Sequence, residues 1–300
     1  MVEAPGPAAG PGQGPLLESL ADARARIGAR LADVRRSVAV TSGKGGVGKT
    51  LVAVHLALAL ARRGLRVALL DADLNSPSVA KMLGLRGQPL RVAGDALVPV
   101  AGPLGVAVQS MDFFLQGDQP LAWDGPAGEG ARWRSGLEDA ALADLLAESA
   151  WGARDVLVID LPPGPDRLPA LAHLLPSLSG ALAVTIPTEV ALLSLQRAVR
   201  RALEACVPLI GLVENLGSVV CAHCGAEGPL YRELPAEAGA LELELLARIP
   251  FDAALGAAAD AGRPLLADAA GANGAAGKAF DALAERVLAW TPPPVEGESW

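Results

Sequence analysis

The sequence predicts an α/β protein built on a doubly wound, mainly parallel sheet flanked by helices. Three observations carry that expectation. Short apolar runs alternate with longer helical stretches from residue 37 to residue 290, the pattern of repeated strand–helix–strand units. Two of the runs end in aspartate, at Asp71 and Asp160, and ligands gather at the carboxyl ends of such strands. A glycine-rich loop, Ser42-Gly-Lys-Gly-Gly-Val-Gly-Lys-Thr50, joins the first apolar run to the first helical one.

The elements follow in order. Residues 1–15 are rich in Pro, Gly and Ala and are expected to be disordered. Residues 16–36 predict an N-terminal helix, with Leu20, Ile27, Leu31 and Val34 on one stripe that packs on the core or a partner. Residues 37–290 form the main domain. Its predicted strands are Ser37–Thr41, Arg66–Asp71, Asp155–Asp160, Ala181–Ile186, Pro208–Glu214 and Leu245–Pro250. Helices are expected over Leu51–Arg63, Leu137–Ala150, Glu189–Ala205 and Ala275–Trp290. Residues 84–136 hold more Gly and Pro and are read as short strands and loops. Residues 291–300 form a loose tail.

The loop predicts chemistry as well as shape. Gly43, Gly48, Lys49 and Thr50 satisfy the phosphate-binding pattern Gly-x4-Gly-Lys-Thr. Glycines admit a close phosphate approach and dihedrals closed to other residues. The amides of Gly43, Lys44, Gly45, Gly46, Val47, Gly48, Lys49 and Thr50 form the expected cradle, and the helix start adds roughly +0.5 elementary charge. Lys49 is expected to reach the β- and γ-phosphates of ATP, and the Thr50 hydroxyl to ligate Mg²⁺. Asp160 is the carboxylate expected to hold Mg²⁺ through water. Asp73 is placed to orient the attacking water, and Asp71 to support the metal shell. Each strand-end aspartate also has a plainer reading as a cap or solvated turn.

Composition narrows the partners. A formal charge of −8 opposes non-specific binding to nucleic acid or anionic membranes. Arg197, Arg200 and Arg201 cluster on one predicted helix and are read as a solvated face. Residues 168–188 lack a charged side chain, yet Pro169, Pro176 and Pro187 interrupt them. They read as a short helix, a turn and a buried strand, and a cytoplasmic location follows. The chain's three cysteines do not make a disulfide framework. Cys206, at a helix end, reads as a small core residue. Cys221-Ala-His-Cys224 brings two thiolates within reach of one metal centre. One chain supplies two ligands and a twofold dimer four. An iron–sulfur cluster, a zinc clamp and a redox disulfide all remain open for this pair.

Lys44, directly after the first glycine, together with Asp71-Ala-Asp73 and Pro77-Ser78, resembles the deviant phosphate loop of the MinD/ParA ATPases. That resemblance implies a P-loop NTPase fold and a dimer in which Lys44 reaches the partner's nucleotide. It also implies that Asn215 reads the adenine base, for which a carboxamide is suited. The ordered set of Trp151-Gly152, Asp160-Leu-Pro-Pro-Gly164, Pro187-Thr-Glu-Val-Ala191, Val213-Glu-Asn-Leu216, Cys221-x2-Cys224-Gly225 and Ile249-Pro-Phe-Asp252 is similar to the Mrp/ApbC family of iron–sulfur cluster carrier ATPases. The family implies a homodimer with a bridging [4Fe–4S] cluster on Cys221 and Cys224, handed to recipient apo iron–sulfur proteins under slow ATP hydrolysis. Rival expectations are a positioning ATPase acting on membrane or DNA, and a zinc-clamped structural dimer.

Several positions depart from that family pattern. Leu51 stands where a second hydroxyl is usual, and Asn75-Ser76 where the first switch commonly has Tyr-Gly. Gly164-Pro165-Asp166 shortens the second switch, and Trp123-Asp124-Gly125-Pro126 carries an anion in place of a cation. These changes touch nucleotide sensing more than nucleotide binding.

Overall fold

Runs of Val, Leu, Ile and Ala without a charged member pack between helical layers when both strand faces are covered. Here they do so in one sheet. The structure is a computed structural model that describes residues 14–115, 117, 130–220, 224, 226–231 and 243–291. The strands are β1 (Ser37–Ser42), β2 (Val67–Asp71), β3 (Arg91–Ala93), β4 (Ala96–Val98), β5 (Val100–Ala101), β6 (Ala107–Ser110), β7 (Val156–Asp160), β8 (Gly180–Thr185), β9 (Leu209–Val220), β10 (Glu227–Pro229) and β11 (Leu245–Phe251). The helices are α1 (Gly14–Arg30), α2 (Lys49–Arg62), α3 (Val79–Met82), α4 (Gly130–Glu148), α5 (Arg167–Leu174), α6 (Glu189–Glu204), α7 (Ala253–Asp260), α8 (Ala269–Ala272) and α9 (Ala275–Ala289).

The sheet runs β10-β9-β8-β1-β7-β2-β6-β5, with β11 also paired to β9. Pairings among β1, β2, β6, β7, β8, β9 and β11 are parallel, and β5 and β10 join antiparallel. Every residue of β1, β2, β7 and β8 is buried. One face packs on α2 and α9, with Leu56, Leu60, Phe280 and Leu283 in its core. The other packs on α1, α4 and α5, with Ile27, Leu146, Trp151 and Leu171. A smaller cluster seats α6 through Leu192, Leu195 and Val199. Burying each such side chain contributes about 1.5–3 kcal/mol.

The fold class is the one expected, and the differences are local. The predicted N-terminal helix ends at Arg30, because Val34 leaves it to bridge Arg154. Ile27 and Leu31 of its stripe are buried in the core. The segment read as short strands and loops holds β3 to β6 as expected, with β6 fully buried beside β2, but its last residues belong to α4, which begins at Gly130 and not at Leu137. The fifth strand continues past Glu214 to Val220. Cys206 is exposed, not a core residue. It takes φ 54° where the chain turns out of α6, and Val207 fills the core position instead. Residues 168–188 form α5, a turn and β8 as expected. No helix among the described residues is long and apolar enough to cross a membrane.

Candidate functional site

The parallel register sets Asp71 of β2 beside Asp160 of β7, and β7 lies next to β1. Three strand ends therefore converge: β1 leads into the glycine loop, β2 into the segment with Asp73, and β7 into Leu161-Pro-Pro-Gly164. An open cleft of about 360 Å³ lies there, lined by Ser42, the loop from Lys44 to Leu51, Asp73, Ser78, Met82 and Pro163.

The loop is shaped by its own residues. Ser42 Oγ donates to the Lys44 carbonyl at 3.0 Å. Gly48 adopts φ 82° directly before α2, a left-handed conformation that favours glycine. A Cβ there would collide with Asn215 Nδ2, and one at Gly43 with the Ser194 backbone. The first turn of α2 closes by Val52 N–H donating to the Gly48 carbonyl at 3.0 Å. Gly45 and Gly46 are exposed, Lys44 is half-buried, and Val47 is buried. Asn215 is buried, and its Nδ2 donates to the Val47 carbonyl at 2.9 Å. The amide that sequence resemblance assigns to adenine thus holds the phosphate loop from below. Its Oδ1 has no hydrogen-bond partner.

The charges are buried and closely coupled. Lys49 Nζ donates to Asp160 Oδ1 at 2.6 Å and lies 3.4 Å from Thr50 Oγ1. Asp160 is fully buried, and its Oδ2 has no hydrogen-bond partner. Burial raises its affinity for a proton, and the Lys49 ammonium opposes that. Asp71 is pushed up to about 7, by burial first and by the Asp160 charge second. Its Oδ2 accepts from the amides of Ser78 and Val79 at 3.0 Å and from Ser110 Oγ at 3.1 Å. Its Oδ1 accepts from Asp73 N–H at 3.3 Å. Asp71 therefore gathers three amides of the first switch segment and the Ser110 hydroxyl of β6, where support of a metal shell was expected. Asp73 lines the cleft, and partial burial raises its pKa.

Two oxygen groups suit a hard cation here: the Thr50 hydroxyl and the unpartnered Asp160 Oδ2. The cleft thus has amides for phosphate, a buried lysine for charge, and oxygens for Mg²⁺. Cys224 is exposed and free, in the connection between β9 and β10, whose antiparallel register pairs Val220 with Glu227. Cys221 lies outside the described residues, as do His223 and Trp123–Pro126. No group of three potential metal-ligating side chains occurs among the described residues.

Sequence reading missed three residues of this region. Ser110 holds Asp71 from a strand end inside the segment read as short strands and loops. Glu138 and Arg167 bridge the switch segments. Nothing in their sequence neighbourhood marks them, because their partners are distant in the chain.

A parallel sheet with a phosphate loop after its central strand, and paired aspartates on the neighbouring strand ends, defines a P-loop NTPase of the MinD/ParA kind. Cell division ATPase MinD of Pyrococcus furiosus has this fold, with TM-score 0.58 at 24% identity, covering 85% of this chain and 99% of that one. A nucleotide-binding protein of Archaeoglobus fulgidus, solved in complex with ADP, is nearer: TM-score 0.67 and 31% identity over 80% of this chain and 91% of that one. The iron–sulfur cluster carrier protein of Saccharolobus solfataricus is 35% identical over 243 residues, 80% of this chain and 79% of that protein. Residues 33–288 match the ParA family described as the NUBPL iron-transfer P-loop NTPases. The chain belongs to that family.

Proposed function

We propose that this protein is an ATP-dependent iron–sulfur cluster carrier. Two copies hold one [4Fe–4S] cluster on Cys221 and Cys224 of each chain and deliver it to apo iron–sulfur proteins. The observation that supports this best is a single strand. β9 carries Asn215, which bonds the phosphate loop, and runs into the hairpin connection that contains Cys224. One strand would thus link the phosphate loop to the cysteine pair that follows it.

In this reading the amides of Gly43 to Thr50 cradle the phosphates of ATP. Phosphate would draw Lys49 from Asp160, whose carboxylate would then hold Mg²⁺ through water beside the Thr50 hydroxyl. Mg²⁺ would neutralise developing phosphoryl charge there. Asp73 orients the attacking water from the cleft wall. Lys44, at the cleft mouth, reaches the partner's nucleotide, so the dimer closes when ATP is bound. Hydrolysis is slow, because Leu51 supplies no hydroxyl and the second switch is short. The cluster is cargo: an exposed Cys224 in the connection between β9 and β10 permits both loading and release by ligand exchange.

Anaerobic reconstitution with iron and sulfide tests the reading. The expected product is a brown dimer with four iron and four acid-labile sulfide per pair of chains, the count set by the proposed cluster. Cys221→Ser should stay colourless. A colourless wild-type protein overturns the carrier reading, and zinc without iron replaces it with a structural clamp. ATP-dependent pelleting with liposomes or DNA would instead favour a positioning ATPase.

A further inference from the structure

The two switch segments meet at one buried carboxylate that no motif includes. Glu138 lies on α4 and is 9% exposed. Its Oε1 accepts from Asn75 Nδ2 at 2.8 Å, and Asn75 follows Asp73 in the first switch segment. Its Oε2 lies 3.0 Å from Arg167 Nη1, at the start of α5 directly after the second switch. Each oxygen of one carboxylate therefore holds one loop. Around this junction is a cavity of about 20 Å³, between Ala72, Leu74, Leu142, Leu161, Pro162 and Ala170. That is room for about one water molecule, so the side-chain bonds carry the connection where apolar packing is incomplete.

The positions engaged are those where this chain departs from its family's pattern. Asn75 occupies the place of the usual tyrosine, and Arg167 follows the shortened Gly164-Pro165-Asp166 stretch. A buried carboxylate that loses one partner keeps its desolvation cost, so the two contacts reinforce each other. A shift of either loop would therefore load the same carboxylate on α4.

We propose that Glu138 is a positioning residue that couples the two nucleotide-sensing loops to each other and to α4. The proposal rests on the ATP reading above, but requires only that ATP bind. Asp73 lines the cleft a short step from Asn75, and Pro163 lines it a short step from Arg167. ATP that orders one loop should thus order the other, and tighten α4.

Hydrogen exchange of the full-length chain, with and without Mg–ATP, reads this directly. In the wild type ATP should raise amide protection in both switch segments and over residues 137–146, by on the order of tenfold, the scale of coupling within one polar network. In Glu138→Ala, protection by ATP should persist at the phosphate loop and vanish from α4. Glu138→Gln, which keeps an acceptor for Asn75 but no charge for Arg167, should fall between, and serves if the alanine variant does not fold. Steady-state hydrolysis supplies a second measure. Asn75→Ala and Arg167→Ala should act non-additively on kcat in the wild type and additively in Glu138→Ala, with ATP affinity little changed. The proposal is overturned if ATP protects the phosphate loop but leaves α4 unchanged in the wild type. It is equally overturned if α4 responds alike in wild type and Glu138→Ala, or if the substitutions are additive in both backgrounds. Absence of protection at the phosphate loop itself would instead sink the ATP reading, and this coupling with it.

Discussion

The phosphate loop and the switch segments lie at the ends of neighbouring strands, yet they are held in opposite ways. The loop is largely self-made: Ser42 bonds Lys44, Gly48 turns the chain, and Val52 closes on Gly48. Those contacts span eleven residues. The switch segments add ties from far away to the local bonds that Asp71 makes with Asp73, Ser78 and Val79. Asp71 depends on Ser110, Asn75 and Arg167 on Glu138, and Asp160 on Lys49. A self-made loop presents the same amides whatever its surroundings do. A segment that leans on remote side chains can be let go, as the proposed coupling requires.

Substitutions can break this contrast. Lys49→Ala should have the largest effect, since Lys49 belongs to the self-made loop yet also compensates the buried Asp160. Loss of hydrolysis on the order of 100-fold or more is expected, the scale of losing one charge-stabilising donor. Phosphate release checks it, with circular dichroism confirming the fold. An active Lys49→Ala variant would remove that lysine from the chemistry.

The next effect is on stability and is specific to the switch side. Asp71 has a folded pKa of about 7 against an ordinary 3.8. Between those values the unfolded chain has released a proton that the folded chain retains. The Asp71 contribution is therefore fully present below about pH 4 and is lost as pH rises toward 7. Asp71→Asn should flatten the fall in stability across that window, measured as urea midpoints at pH 5 and 7. Asp73, Asp139 and Asp160 shift in the same direction, so the slope should shrink without vanishing. A variant whose pH profile parallels the wild type would show that the proton resides elsewhere in the cluster.

Asn215→Ala should have the smallest effect, because it removes one hydrogen bond from a loop that mostly holds itself. About 1 kcal/mol corresponds to a several-fold weaker ATP affinity, with hydrolysis at saturation less affected. Calorimetric titration measures it. A loss of a hundredfold or more would mean that the loop is as dependent on remote support as the switches are.

The same contrast explains what could be read in the linear chain. Gly43, Lys49 and Thr50 announce a phosphate site because the chemistry needs them at fixed spacing. The strands around them show as apolar runs because both faces are covered. Short strands were expected within residues 84–136, but not which residues form β6 or that it pairs with β2, because Ala107-Val-Gln-Ser110 is short and sits among Gly and Pro. Asn215 was noticed through its motif, but its contact with Val47 is made 168 residues away, so its support of the loop was not visible. Glu138 was invisible, being one acidic residue on a helix with many.

The amino-acid order by itself settled the layered fold and the kinship with iron–sulfur carriers, and marked the phosphate-loop pattern, since each is encoded by residues near one another or by simple periodicity. Only the tertiary structure decided which carboxylates gain proton affinity, which lysine compensates which aspartate, and what joins the two switches. Those properties depend on distance and burial between residues far apart in the chain, and no local pattern specifies either.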